Sequence, residues 1–276
     1  MYYRTSSPRR RSSGWGRLIM AGIIALFSLI SYFSSKQDNP VTGETQYIDI
    51  TVEQEIAIGL QSAPQMAAEF GGLDPDGQSQ TIVDQIGNAI VQNSPAGSSP
   101  YQFDFHLLDD DQTINAFALP GGQIFITRAL FDRLETEGNL AGVLGHEIGH
   151  VVARHSAEHI AKAKLTEGLT GAAVLATYDP NNPASASSAQ VAALIGQLIN
   201  LKFGRDDELE SDFLGVCFMN DTGYDPNEMV RVMQILAASR ESGNQPPEFF
   251  STHPNPESRI QRIQDSIQNL DLCPGN

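Results

Sequence analysis

His146, Glu147 and His150 stand as an H-E-x-x-H within LGHEIGHVVARH at 144–155. On a helix, residues four apart project from one face about 40° apart around the axis, so both imidazoles can reach a single ion. The glutamate between them lies to the side of that ion, where it can take a proton from water. Zinc held by three protein ligands keeps a fourth position for water and lowers its pKa to about 7. Two helical histidines alone also fit a partly exposed pair, so a third ligand decides. His155 follows His150 by five residues, about 140° away around a continuous helix. It also comes one position early for an H-E-x-x-H-x-x-G-x-x-H spacing. His155 and His159 therefore read as structural or surface residues. The run RDDELESD at 205–212 offers carboxylates instead, with Glu208 and Asp212 four apart on one face at the start of a helix. One can bind a metal while the other hydrogen-bonds a ligand histidine. Alone, such an acidic run would read as carboxylates set against a helix dipole.

Four blocks in fixed order carry a family resemblance: NAFALPGGQIFITRAL at 115–130, LGHEIGHVVARH at 144–155, RDDELESD at 205–212 and STHPNPESRI at 251–260. Together they resemble the membrane-linked gluzincin metallopeptidases of the HtpX/BepA type, which include Oma-type and CAAX prenyl proteases. The resemblance runs from Asn39 to Arg262. It implies one zinc per chain, with His146, His150 and Glu208 as ligands and Glu147 as general base. Asp212, the aspartate of E-x-x-x-D, is implied to support a ligand histidine. His253 and Arg259 match an H-P-x-x-x-x-R pair, implied to sit over the metal and hold the scissile carbonyl. In some members that histidine instead approaches the zinc and gates it. Asn115, Ala116 and Phe117 match an edge strand that pairs with the backbone of a protein or peptide substrate. Ser211 departs from the alanine usual before the aspartate. The implied activity is zinc-dependent endoproteolysis, with unfolded or misassembled envelope proteins as substrates. The alternative is a latent zinc-bound adaptor or chaperone-like protein.

The elements that must position these residues follow from periodicity and breakers. Helical patterns cover roughly 51–70 and 78–93, separated by GGLDPDG. YQFDFHLL alternates as a strand, and residues 113–127 read as two short strands around Pro120-Gly121-Gly122. A long helix is expected at 139–163, then a Pro/Ser/Asn-rich stretch at 178–188. Further helices are expected near 189–203, 206–221, 226–240 and 256–269. The fold class is α+β, mostly helical, a zincin-like domain over 51–276 with a small sheet ahead of the H-E-x-x-H helix.

Residues 1–17 form a basic leader with five arginines and no acid, whereas the rest of the chain holds 12 bases against 33 acids. So acidic a body argues against a nucleic-acid partner. Leu18 to Phe33 is a sixteen-residue run without charge, flanked by Trp15 and containing Tyr32. It reads as a transmembrane signal anchor rather than a cleaved signal, since no A-x-A-like site follows. Five arginines precede it and only Lys36 follows closely, which puts the N-terminus in the cytoplasm. The catalytic body is then expected on the far, periplasmic side of an inner membrane. Residues 34–50 read as an extended tether. Cys217 and Cys273 are compatible with a disulfide there or with two unlinked thiols. Asp109, Asp110 and Asp111 read as a solvated turn, without the ligand spacing of a calcium loop. Nothing in the sequence fixes an oligomeric state.

Overall fold

The computed structural model describes residues 14–177, 203–242, 248–253 and 259–275. The stretch 178–188, nearly all of the helix expected near 189–203 and most of the leader lie outside the described residues. The first element, α1 (Gly14–Ser34), is long and apolar enough to cross a membrane. It exposes Leu18, Ile19, Met20, Ile23, Leu26, Phe27 and Ile30.

The segment expected as an extended tether is instead folded onto the body. β1 (Lys36–Asp38) pairs antiparallel with β2 (Thr45–Tyr47). Asn39 closes the turn by accepting from the backbone of Val41 and Thr42. Its side-chain amide then donates to the carbonyl of Val152 at 2.8 Å, and that of Gln46 donates to Ala153. Both contacts satisfy carbonyls at a helix end that has no partner of its own.

α2 (Val52–Glu69) starts with a capping box between Thr51 and Gln54. α3 (Gly77–Asn93) starts at Asp76, whose carboxylate accepts from Gln78 and Ser79. The three strands that follow are β3 (Asp104–Leu108), β4 (Ala116–Ala118) and β5 (Gln123–Thr127), in the order β3-β5-β4. β3 runs parallel to β5, and β4 antiparallel with Phe117 opposite Phe125. The Pro120-Gly121-Gly122 turn is the expected hairpin. Both glycines have positive φ, 82° and 108°, which side chains rarely tolerate.

A short α4 (Arg128–Phe131) leads into α5 (Glu137–Val152), buried along its length from Asn139. α6 (His155–Thr177), α7 (Arg205–Thr222), α8 (Asn227–Ser242), α9 (Phe249–Thr252) and α10 (Arg259–Gln268) complete the domain. The one long helix expected at 139–163 is thus two. Arg154 breaks it, a non-glycine residue at φ 61°, held there by its side chain. Its guanidinium donates to the buried carboxylate of Glu55 on α2, to which Tyr101 also donates at 2.9 Å. α3, the sheet, α5, α7 and α8 surround one core in which Leu144, Ile148, Ile124 and Phe218 are fully buried. Cys217 on α7 is bonded to Cys273 after α10, with Cα atoms 5.6 Å apart.

Candidate active site

α5 presents His146 and His150 toward α7, and the two helices touch closely because their facing residues are small. A Cβ added to Gly149 would lie 3.1 Å from the Ser211 carbonyl oxygen, and one added to Gly145 would lie 3.4 Å from Gly215. That approach brings Glu208 and Asp212, on the first turns of α7, within reach of both histidines.

The donor atoms form a compact figure. His146 Nε2 and His150 Nε2 are 3.1 Å apart. Glu208 Oε2 lies 3.6 Å from the first and its Oε1 lies 3.4 Å from the second. Ligands on one tetrahedral zinc, with bonds of about 2.0–2.1 Å, sit roughly 3.3 Å from one another. The separations of the two imidazole nitrogens from each other, and of each from the nearer oxygen of the Glu208 carboxylate, are close to that length. His253 Nδ1 takes a fourth corner, 3.4 Å from His146 Nε2 and 3.0 Å from Glu208 Oε1. All four residues are buried and their donor atoms lie within 4.8 Å of one another.

Each ligand-type histidine is oriented through its other nitrogen. His146 Nδ1 is 3.0 Å from Asp212 Oδ1. His150 Nδ1 is 2.9 Å from Nδ1 of His155, whose Nε2 is 3.1 Å from Glu210 Oε2. With the His155 proton on Nε2, its Nδ1 accepts from His150, and the lone pair of His150 Nε2 is left for an ion. The expectation that His155 points away assumed an unbroken helix; the turn at Arg154 brings the ring back, and His155 is buried. His159 lies farther out, paired with Asp207 at 2.7 Å.

Glu147 is fully buried, and neither of its oxygens has a hydrogen-bond partner among the described residues. Burial pushes its carboxyl pKa up, against the opposing pull of His253 and His146. Burial likewise pushes His150 well below the usual histidine range, which keeps its imidazole neutral and able to ligate. Burial would raise Glu208 too, but His253 and His150 outweigh it and hold the group well below the carboxylate range.

Arg259 is placed differently from a donor reaching a substrate carbonyl. Its Nε and Nη2 donate to Asp212 at 2.7 and 2.6 Å, and Nη1 donates to Glu208 at 2.9 Å. Fully buried, it is a strut between two carboxylates. His253 lies beside the ligand-type histidines, with Nε2 3.6 Å from Glu147 Oε1. Its ring stacks on Phe249 at 4.5 Å, and His150 stacks on Phe203 at 4.0 Å. Neither phenylalanine was singled out in the sequence, where an aromatic beside a loop has no distinguishing spacing. Ala116 and Phe117 lie on β4, one of the two edge strands of the sheet, directly after Asn115. Asn115 Oδ1 is buried without a partner among the described residues. The carbonyl just before it, on Ile114, accepts from the backbone of Phe249, which ties this edge to the segment carrying His253.

Two helices supplying His, His and Glu, with a buried glutamate beside them that has no hydrogen-bond partner among the described residues, define a metallopeptidase centre of the H-E-x-x-H plus glutamate type. The profile of peptidase family M48 matches residues 77–267, and the chain belongs to that family. It is 33% identical over 236 residues to a beta-barrel assembly-enhancing protease of Yersinia pestis, covering 84% of this chain and 47% of that protein. The corresponding Escherichia coli protein is 29% identical over 250 residues, covering 87% and 49%. The mitochondrial metalloendopeptidase OMA1 of Schizosaccharomyces pombe is 28% identical over 263 residues, covering 94% and 73%. The chain thus spans about half the length of the first two relatives.

Proposed function

We propose that this protein is a membrane-anchored zinc endopeptidase whose substrates are unfolded or misassembled proteins of an envelope compartment. The observation that carries the reading is the buried cluster of His146, His150 and Glu208 donors, whose atoms lie within 4.8 Å of one another, with the Glu147 carboxylate, which has no hydrogen-bond partner among the described residues, beside it. His146, His150 and Glu208 hold the ion, and Asp212 and His155 orient the two imidazoles. Zinc, when bound, supplies Lewis-acid polarisation and acidifies water. Glu147 takes the proton from the attacking water and delivers it to the leaving amine. Asn115, Ala116 and Phe117 offer backbone groups to an extended substrate, which gives affinity with little sequence demand. His253 donates toward the developing oxyanion, and Arg259 holds Glu208 and Asp212 in place. The substrate class is drawn from the family resemblance, and a relative named as a protease that enhances β-barrel assembly supports it. Residues 18–33 anchor the chain in an inner membrane in a single pass, with the basic leader in the cytoplasm and the body outside. The paired cysteines support an oxidising location.

Metal analysis tests the ligand set. The purified full-length chain should carry one zinc, His150→Ala should lose it, and Glu208→Gln should weaken it. Unchanged zinc content in both variants would remove the assignment. A second reading, a latent protein acting by binding, is favoured by one observation: His253 fills the fourth corner and Glu147 is fully enclosed. Under that reading Glu147→Gln keeps the cellular role; under the first it abolishes it.

A further inference from the structure

Away from the active site, among the described residues, α1 and α6 pack against each other antiparallel. Tyr32 shares a small cavity with Ala161, Lys164 and Leu165. One turn back on α1, Ser28 meets Gly168, where an added Cβ would lie 2.1 Å from the Ser28 hydroxyl oxygen. Both helices bring small residues to the seam: Ala21 on α1, and Ala161 and Ala172 on α6, are all buried. Such residues let helix backbones approach closely, as they do within membranes.

From Gly168 to its end at Thr177, α6 rises about 14 Å further along α1, to roughly the level of Ile19. At that depth α1 exposes Ile19, Met20, Ile23, Leu26 and Phe27 to its surroundings. The charge pattern of α6 changes at the same point. Lys162, Lys164 and Glu167 come before Gly168, and the 34 residues from 168 to 201 contain one charged residue, Asp179. Just before the change, Lys164 pairs with Asp49 at 3.1 Å. Tyr32 stacks on Tyr47 at 4.9 Å. Charged pairs and tyrosines in this position mark a membrane–water boundary.

We infer that α6 enters the bilayer beside the anchor, so that Gly168–Thr177 is a second lipid-embedded segment and the membrane surface lies level with Tyr32, Tyr47 and the Lys164–Asp49 pair. This rests on the reading of α1 as a membrane anchor. The consequence is geometric. His155, which touches the ligand His150, begins the same helix nine residues before Lys164, about 14 Å along its axis. The catalytic centre is then fixed close above the lipid surface.

Depth-dependent quenching of the full-length chain in vesicles tests this. The two native cysteines are bonded to each other, so a single introduced cysteine can carry an environment-sensitive fluorophore. Leu169→Cys and Val174→Cys should be quenched by spin-labelled lipid as strongly as Ile23→Cys, and should resist iodide. Glu69→Cys should behave oppositely. Iodide access at both α6 positions, with Ile23→Cys still lipid-quenched, overturns the inference and leaves the anchor standing. Iodide access at Ile23→Cys removes the anchor and the inference with it. Independently, Ser28→Cys with Gly168→Cys should crosslink in the membrane on mild oxidation; failure to crosslink breaks the helix pairing on which the inference depends.

Discussion

His150 is oriented by a relay of two side chains, since Glu210 fixes the His155 proton on Nε2 and His155 then accepts from His150. Removing such a partner of a metal ligand typically costs 10–100-fold in metal affinity. His155→Ala should therefore weaken zinc by about that factor in a chelator competition, with the fold retained. Glu210→Gln keeps an acceptor for His155 and should have a far smaller effect. Equal affinity for wild type and His155→Ala would contradict the relay. At this scale the H-E-x-x-H and the Glu208/Asp212 pair were legible, because helical period alone sets which side chains share a face. His155 was not, since its direction depends on a backbone break that no side-chain pattern announces. Arg259 was legible as part of the site but not in its posture, because the two carboxylates it bridges come from a helix some fifty residues earlier.

The helix pair α5 and α7 depends on glycines at their contact. Gly215 leaves little space for a methyl group: an added Cβ would sit 3.1 Å from the His146 amide nitrogen and 2.5 Å from the terminal methyl of Met229, so the Met229 side chain and the helix backbone would have to shift. Overpacking of this kind costs about 1–3 kcal/mol. Gly215→Ala should lower the thermal midpoint and weaken zinc together, measured by calorimetry and by metal titration. A variant as stable and as metal-avid as wild type would show that the helices have room to part. The junction of α5 and α6 makes a second demand. Arg154 is held against Glu55, which is only 2% exposed, and Arg154→Ala would leave that carboxylate buried without its cation. Breaking a buried pair from one side costs about 3–5 kcal/mol, and denaturant unfolding should register it. Helix and strand positions were legible from periodicity and caps. The β1–β2 hairpin was not, because three-residue strands carry too short a pattern and Asn39 reveals its role only once Val152 lies opposite.

Across the whole molecule, the bond between Cys217 and Cys273 closes a loop of 56 residues and ties the last residues to the middle of α7. Constraining an unfolded chain by a loop of this size stabilises the fold by about 4 kcal/mol. Replacing both cysteines by serine should lower the unfolding midpoint clearly, and reductant should do the same to wild type alone; insensitivity of wild type to reductant would mean the bond contributes nothing. Sequence spacing could not reveal this pairing, since it says nothing of distance in the fold. The claim on which the rest depends is that one zinc and Glu147 together hydrolyse peptide bonds. The most direct measurement is cleavage of an unfolded protein such as casein by the zinc-loaded, full-length chain in detergent, beside its Glu147→Gln form with zinc content measured for both. Wild type alone should cleave, with zinc equal in the two. Cleavage by both forms would contradict the role of Glu147, and cleavage by neither, with one zinc bound to each, would contradict the assignment as a peptidase.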